Sequence, residues 1–175
     1  MQPTIAVRPS SLVDERTVRA AAGLTLVLGA VAFFEALLAK DYLPLRIVTA
    51  FFALDFALRV AAGPQRSPVG AVAGLLVRRL PPEPVSLRPK RFAWSLGLGM
   101  SVAMTGITNA GVTGWLPRGI CLLCLTLMWL EAVLGVCLGC QVHRLLVARG
   151  IAAQDPALVC ADGACDLSPG RPGRS

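Results

Sequence analysis

Four long apolar runs dominate the chain, and polar residues fall mostly between them. They are Thr17 to Ala39, Leu45 to Ala62, Phe92 to Trp115 and Leu116 to about Val142. Each comes near the roughly 20 residues a helix needs to cross a ~30 Å hydrocarbon layer. A tight turn around Gly114 and Trp115 separates the last two, and Pro117 suits a first helical turn, where its missing N–H costs nothing. Between the second and third runs lie Gly63-Pro64, Ser67-Pro68 and Pro81-Pro82-Glu83-Pro84. They enclose a short apolar stretch, Val69 to Leu80, that reads as a helix in the membrane interface with Arg78 and Arg79 facing anionic headgroups. From Gly150 onward Gly, Pro and Asp interrupt the chain, which predicts a disordered tail. The pattern therefore predicts an all-α integral membrane four-helix bundle over residues 17–146, with end segments 1–16 and 147–175.

Small residues recur every fourth position in the third run, as Ala93, Gly97, Ser101 and as Gly106, Ala110, Gly114. This spacing lets helix backbones approach. Asn109, Thr105, Thr108 and Thr113 are expected to hydrogen-bond between helices.

Composition supports a membrane setting. The chain is 55% hydrophobic and 15% charged, against about 25% charged in soluble domains. Net charge is +7, yet 14 of the 17 Lys and Arg residues would lie on one side of such a bundle. Only Lys40, Arg46 and Arg118 fall on the other. Basic loops stay cytoplasmic, so both termini and the middle loop are expected there. Topology thus accounts for the basic residues, and no aromatic-basic motif points to nucleic acid. The first run exceeds the 7–15 residues of a signal-peptide core and follows Asp14 and Glu15, so it is expected to stay as an anchor. No nucleotide-binding glycine pattern, hydrolase triad or HExxH motif is present.

Candidate chemistry rests on six cysteines. Cys121 and Cys124 form one CxxC, Cys137 and Cys140 a second, both within the fourth run. On one continuous helix the 19 residues from Cys121 to Cys140 rise about 28 Å, which puts one pair near each membrane face. Cys121 and Cys124, early in that helix beside Arg118, would have dipole and cation favouring thiolate. Cys137 and Cys140 would lie near its C-terminus, where the dipole opposes thiolate and Arg144 offsets it. Cys124 and Cys137 would lie ~20 Å apart on opposite faces, too far for exchange without a quinone, another protein or a helix movement.

Cys137 and Cys140, where Gly135 and Gly139 would let the backbone open, are expected to cycle between dithiol and disulfide or carry sulfane sulfur; the alternative is a non-catalytic module that binds a metal or small sulfur species, or a scaffold in which they are small buried hydrophobes, the simpler reading for Cys121 and Cys124. A metal reading sets Cys137, Cys140, Cys160 and Cys165 around zinc or an iron–sulfur cluster, with His143 able to replace one thiolate. Three carboxylates fall inside the runs. Asp55 and Arg59 are spaced i,i+4 for an intramembrane ion pair. Glu131 is expected to be neutral, to pair with Arg59 or to carry protons. Glu35 is expected to reach water.

Several segments also resemble a bacterial membrane family known as domain of unknown function 4395. They are Val13-Asp14-Glu15-Arg16, Leu54-Asp55-Phe56-Ala57-Leu58-Arg59, Gly63-Pro64 through Ser67-Pro68, Pro89-Lys90-Arg91-Phe92-Ala93, and Leu130-Glu131-Ala132-Val133 leading into Cys137-Leu138-Gly139-Cys140. In order they cover about Ser11 to Leu146. The resemblance implies four spans in a bacterial inner membrane but no established activity. Relatives that accompany thioredoxin-like and sulfurtransferase proteins imply a partner of that kind. The Cys121/Cys124 pair and His143 depart from the family pattern, and Cys160/Cys165 lie outside it.

Overall fold

The computed structural model describes residues 12–151. The helices are α1 (Glu15–Leu38), α2 (Leu43–Ala62), α3 (Pro68–Val77), α4 (Leu87–Asn109), α5 (Trp115–Trp129) and α6 (Leu138–Ala148). A 3-10 turn (Pro64–Arg66) precedes α3, and a π-helical turn (Leu130–Leu134) extends α5. Two short strands, β1 (Leu12–Asp14) and β2 (Pro84–Ser86), pair antiparallel with Val13 opposite Val85. The fold is all-α apart from this clip. Two stretches, Glu15–Leu38 and Trp115–Leu134, are long and apolar enough to cross a membrane. The predicted tail lies outside the described residues from position 152.

Each main helix buries a stripe at helical spacing. On α1 it is Val18, Ala21, Ala22, Thr25, Ala32, Phe33 and Ala36. On α4 it is Lys90, Trp94, Ser101, Met104 and Thr108. The helices close a ring in which α1 meets α2 and α5, and α4 meets α2 and α5. Gly97 is where α2 and α4 come closest, since a Cβ there would lie 3.0 Å from the Phe56 ring. The outer faces are apolar too. Val31, Phe34 and Leu38 on α1, Ile47 and Leu54 on α2, and Leu122 and Leu123 on α5 are all exposed. α3 lays Val69 and Ala73 against Ala21 of α1.

End-to-end contacts set the helix directions. The clip starts α1 and α4 side by side, with Glu15 N donating to Glu83 O at 2.8 Å. Arg19, near the start of α1, donates to Ala132 O and Val133 O beyond α5. Arg91, near the start of α4, donates to Val60 O and Ala61 O at the end of α2. Successive long helices therefore run up and down. Each arginine also satisfies carbonyls that a helix end leaves free.

Asp14 joins the clip to α1. Its carboxylate accepts from Arg16 N, Thr17 N, Thr17 Oγ1 and Glu83 N at 2.7–3.3 Å. Burial pushes the Asp14 carboxyl up, but the hydrogen bonds from Glu83, Thr17 and Arg16 outweigh it and hold it below its ordinary value. Its contribution to stability is thus fully present above the unfolded value of about 3.9 and is lost as pH falls through the lower folded value. Asp14→Ala should cost about 1–2 kcal/mol as a lost N-cap. Unfolding of both chains in detergent, measured across acid pH, checks this. A difference that did not shrink below the carboxylate range would contradict the assignment.

Three expectations need correction. α4 starts at Leu87, earlier than the apolar run, because Pro89 fits a first turn and Lys90 is buried. The hydroxyls of Thr105 and Thr108 and the Asn109 amide bond to carbonyls of α4 itself, at Ser101, Met104 and Thr105, so they do not join helices. A Cβ at Gly106 or Gly114 would meet nothing within 4 Å, so only the Ala93–Gly97–Ser101 half of the small-residue pattern marks a close approach.

Candidate thiol site at a helix break

The fourth apolar run is not one helix. Gly135 adopts φ +68°, a left-handed conformation that glycine takes most readily. Gly135 N and Val136 N close the end of the π turn onto Glu131 O and Leu130 O. The chain then extends through Cys137, at φ −90° and ψ 97°, and restarts as α6. Cys137 is the N-cap of the new helix, and its Sγ accepts from Cys140 N at 3.3 Å. The sulfurs of Cys137 and Cys140 are in disulfide contact, with Cα atoms 5.2 Å apart. This overturns the continuous helix to Val142 and its 28 Å reckoning, and reverses the electrostatics. The Cys137/Cys140 pair stands at a helix N-terminus, whose partial positive charge meets negative charge developing on Cys137 Sγ once the pair is reduced. Arg144 is exposed and is not needed for that role.

Gly139 holds α6 in place. A Cβ there would lie 2.7 Å from Ala93 Cβ and 2.8 Å from Ala93 Cα, so α6 docks on α4 backbone to backbone. His143 packs on Phe92, ring centroids 5.4 Å apart. Cys137 is buried and Cys140 is half-buried, so Cys140 is the more accessible sulfur.

Buried charges surround the break. Lys90 Nζ lies 2.9 Å from Glu15 Oε2 and 3.0 Å from Glu131 Oε1. Glu131 thus takes Lys90 as its direct ion-pair partner, because the clip starts α4 beside α1, with Arg59 acting on it only at longer range. Asp55 and Arg59 form the expected ion pair, Nη2 to Oδ2 2.6 Å, off hydrogen-bonding alignment and almost wholly buried. Asp55 Oδ1 also accepts from Val69 N at 2.9 Å, tying α2 to the start of α3. Arg59 lies 5.0 Å from the Phe56 ring centroid, and its Nε has no hydrogen-bond partner. Glu35 is exposed on α1.

A cavity of about 150 Å³ lies between α1, α2, α4 and α5. Arg59, Cys121, Cys124, Glu131 and Cys137 all line it. Cys137 therefore faces one interior space with Cys121 and Cys124, whereas a continuous helix would have turned it away from them. Both cysteines of the first pair are free thiols. Cys121 is buried in an apolar cluster with Ala32, Phe33, Ala36, Leu45 and Met104, which suits a small hydrophobe rather than the thiolate expected beside Arg118. Among the described residues no three His, Cys, Asp or Glu side chains gather at one point. Cys160 and Cys165, needed for the four-thiolate metal reading, lie outside the described residues.

Sequence reasoning missed the roles of Glu15, Arg19 and Lys90. Glu15 and Lys90 do stand in the segments that carry the family resemblance, Val13 to Arg16 and Pro89 to Ala93. Two opposite charges at the starts of different helices were the available signal. No curated protein and no solved structure matches the chain. The family described as Domain of unknown function (DUF4395) matches residues 13–148, from the clip through the whole of α6. That span includes Glu15, Asp55, Lys90, Glu131 and both cysteines of the second CxxC, and this chain belongs to that family.

Proposed function

We propose that this protein is a four-span membrane thiol oxidoreductase, in which Cys137 and Cys140 exchange with a thioredoxin-like or sulfurtransferase partner. The observation that carries it is the Cys137/Cys140 pair at the N-terminus of α6, in disulfide contact beside an interior cavity. A helix N-terminus favours thiolate, and a CxxC places the resolving sulfur within reach. π turns recur at functional sites; the one here leads straight into the motif.

The membrane part of the reading rests on the apolar exterior and on helix lengths. α2 and α4 have 20 and 23 residues, about 30 Å or more at 1.5 Å per residue. Their buried charges are paired, as intramembrane charges are. Arg16, Arg19, Arg59 and Arg91 belong to the clip end, while Lys40, Arg46 and Arg118 belong to the other, which favours a cytoplasmic clip end. The setting would be a bacterial inner membrane with both termini inside.

The exchange balances simply. A partner thiolate attacks Cys140 Sγ, the Cys137–Cys140 bond breaks, and Cys137 leaves as thiolate. The partner's second thiol then displaces Cys140, leaving a partner disulfide and a reduced pair. In cells, Cys137→Ser should therefore trap a mixed disulfide through Cys140, and Cys140→Ser should trap far less. Non-reducing electrophoresis with mass spectrometry of the linked peptides checks this. A native pair that alkylates as two free thiols under both reducing and oxidising growth would sink the proposal.

A further inference from the structure

The cavity beside Cys137 differs from the rest of the interior. Thr25 Oγ1, Thr49 Oγ1 and Ser101 Oγ already donate to carbonyls of their own helices, at Ala21, Arg46 and Gly97. Glu131 is held by Lys90. Arg59, only 3% exposed, is among the residues that line the space, and its buried Nε and Nη2 lack hydrogen-bond acceptors. A buried donor left without a partner is costly. The charge of Arg59 is already met by Asp55, so a free anion would gain little and would have to shed its water. The space suits a neutral ring that brings an acceptor oxygen. At about 150 Å³ it is as large as an apolar cavity that admits benzene. Trp94, 3% exposed, also lines it and brings an aromatic ring to the space.

From this we infer that the cavity binds the headgroup of a lipid-soluble quinone, which accepts electrons from the reduced Cys137/Cys140 pair. This rests on the thiol reading above and supplies its terminal oxidant. The balance is closed. The two thiols lose two protons and two electrons as the S–S bond forms. The quinone gains both and leaves as quinol. Arg59 Nε donates to a quinone carbonyl oxygen and meets the negative charge that gathers there during reduction. Cys137 lines the cavity and faces the ring, while Cys140 stays accessible to the partner.

The test uses the full chain in lipid nanodiscs, with ubiquinone-1 as probe and Trp115 and Trp129 replaced by Phe so that Trp94 alone reports. Ubiquinone-1 should quench Trp94 fluorescence and be reduced one-for-one with Cys137–Cys140 bond formation in the pre-reduced chain. The Cys137→Ser/Cys140→Ser chain should still bind but not reduce it. Met128→Phe, which fills the cavity, and the charge-balanced Asp55→Asn/Arg59→Gln chain should each weaken quenching by about tenfold or more. Using two variants guards against one that fails to fold. Quenching that is absent, or unchanged in both folded variants, overturns the quinone site. Bound quinone that leaves the dithiol reduced overturns the electron transfer. If thioredoxin still exchanges with the pair in either case, the thiol reading stands without this oxidant. A pair that exchanges with nothing overturns the thiol reading, and quenching in the serine chain then decides the ring site alone.

Discussion

Replacing Lys90 by methionine should destabilise the protein by about 3–5 kcal/mol, the usual cost of removing one partner from a buried ionic group. Lys90 is 5% exposed and bridges Glu15 on α1 to Glu131 in the π turn. Its loss leaves two neighbouring carboxylates without the ammonium that bridges them. The damage should therefore be reversible in part. Glu131→Gln in the Lys90→Met background should recover stability, because it removes the deeper unpaired charge, whereas Glu131→Gln alone should cost less than Lys90→Met. Denaturant unfolding of the four chains of this cycle in detergent measures the coupling. Additive effects of the two substitutions would mean that the 3.0 Å contact contributes nothing. The Lys90→Met chain should also alkylate faster at Cys140, since the same bridge anchors the segment that ends at the helix break.

Gly139→Val should dislodge α6. The added Cβ would fall 2.7 Å from Ala93 Cβ and 2.8 Å from Ala93 Cα. Contacts that close force something to move, and backbone cannot yield as a flexible side chain does. Overpacking of this kind costs about 1–3 kcal/mol, but the larger effect is local. With α6 lifted from α4, Cys137 loses its cover beside the cavity and should become as open to alkylation as Cys140. Ala93→Gly should rescue only partly, since it removes the Cβ clash and leaves the one with Cα. Differential alkylation under mild reduction checks both statements. A Cys137 that stays protected in Gly139→Val would show that α6 does not depend on this contact.

Much of the helical layout was legible from the chain. α1 and α2 begin and end within two residues of their apolar runs, because length and hydropathy alone decide where such helices form. The short helix after Ser67-Pro68 was legible for another reason. Ser67 Oγ accepts from Gly70 N as an N-cap with Pro68 behind it, a purely local signal. The Asp55–Arg59 pair was legible because i,i+4 spacing sets two side chains on one face. The site was less so. A run of apolar residues from Leu116 to Val142 has no proline after its first turn, so periodicity had no reason to stop at Leu134. Gly135 alone does not break a helix. It does so here with Arg19, 113 residues away from Ala132, holding the freed carbonyls.

By itself the sequence determined where α1, α2 and α3 form, that the chain carries fewer charges than an ordinary soluble domain, and which thiols stand in CxxC pairs. These follow from local propensity and hydropathy, which need no partner. Only the tertiary structure decided that the β clip starts α1 and α4 together, that Lys90 therefore meets Glu15 and Glu131, and that Arg19 caps a broken helix. Those contacts join residues far apart in the chain, and no local pattern encodes them. Together they turn Cys137 and Cys140 from the end of one helix into the beginning of another, with Cys137 facing the same cavity as Cys121 and Cys124. The change reverses the helix field at the inner pair, and with it the chemistry that pair can do.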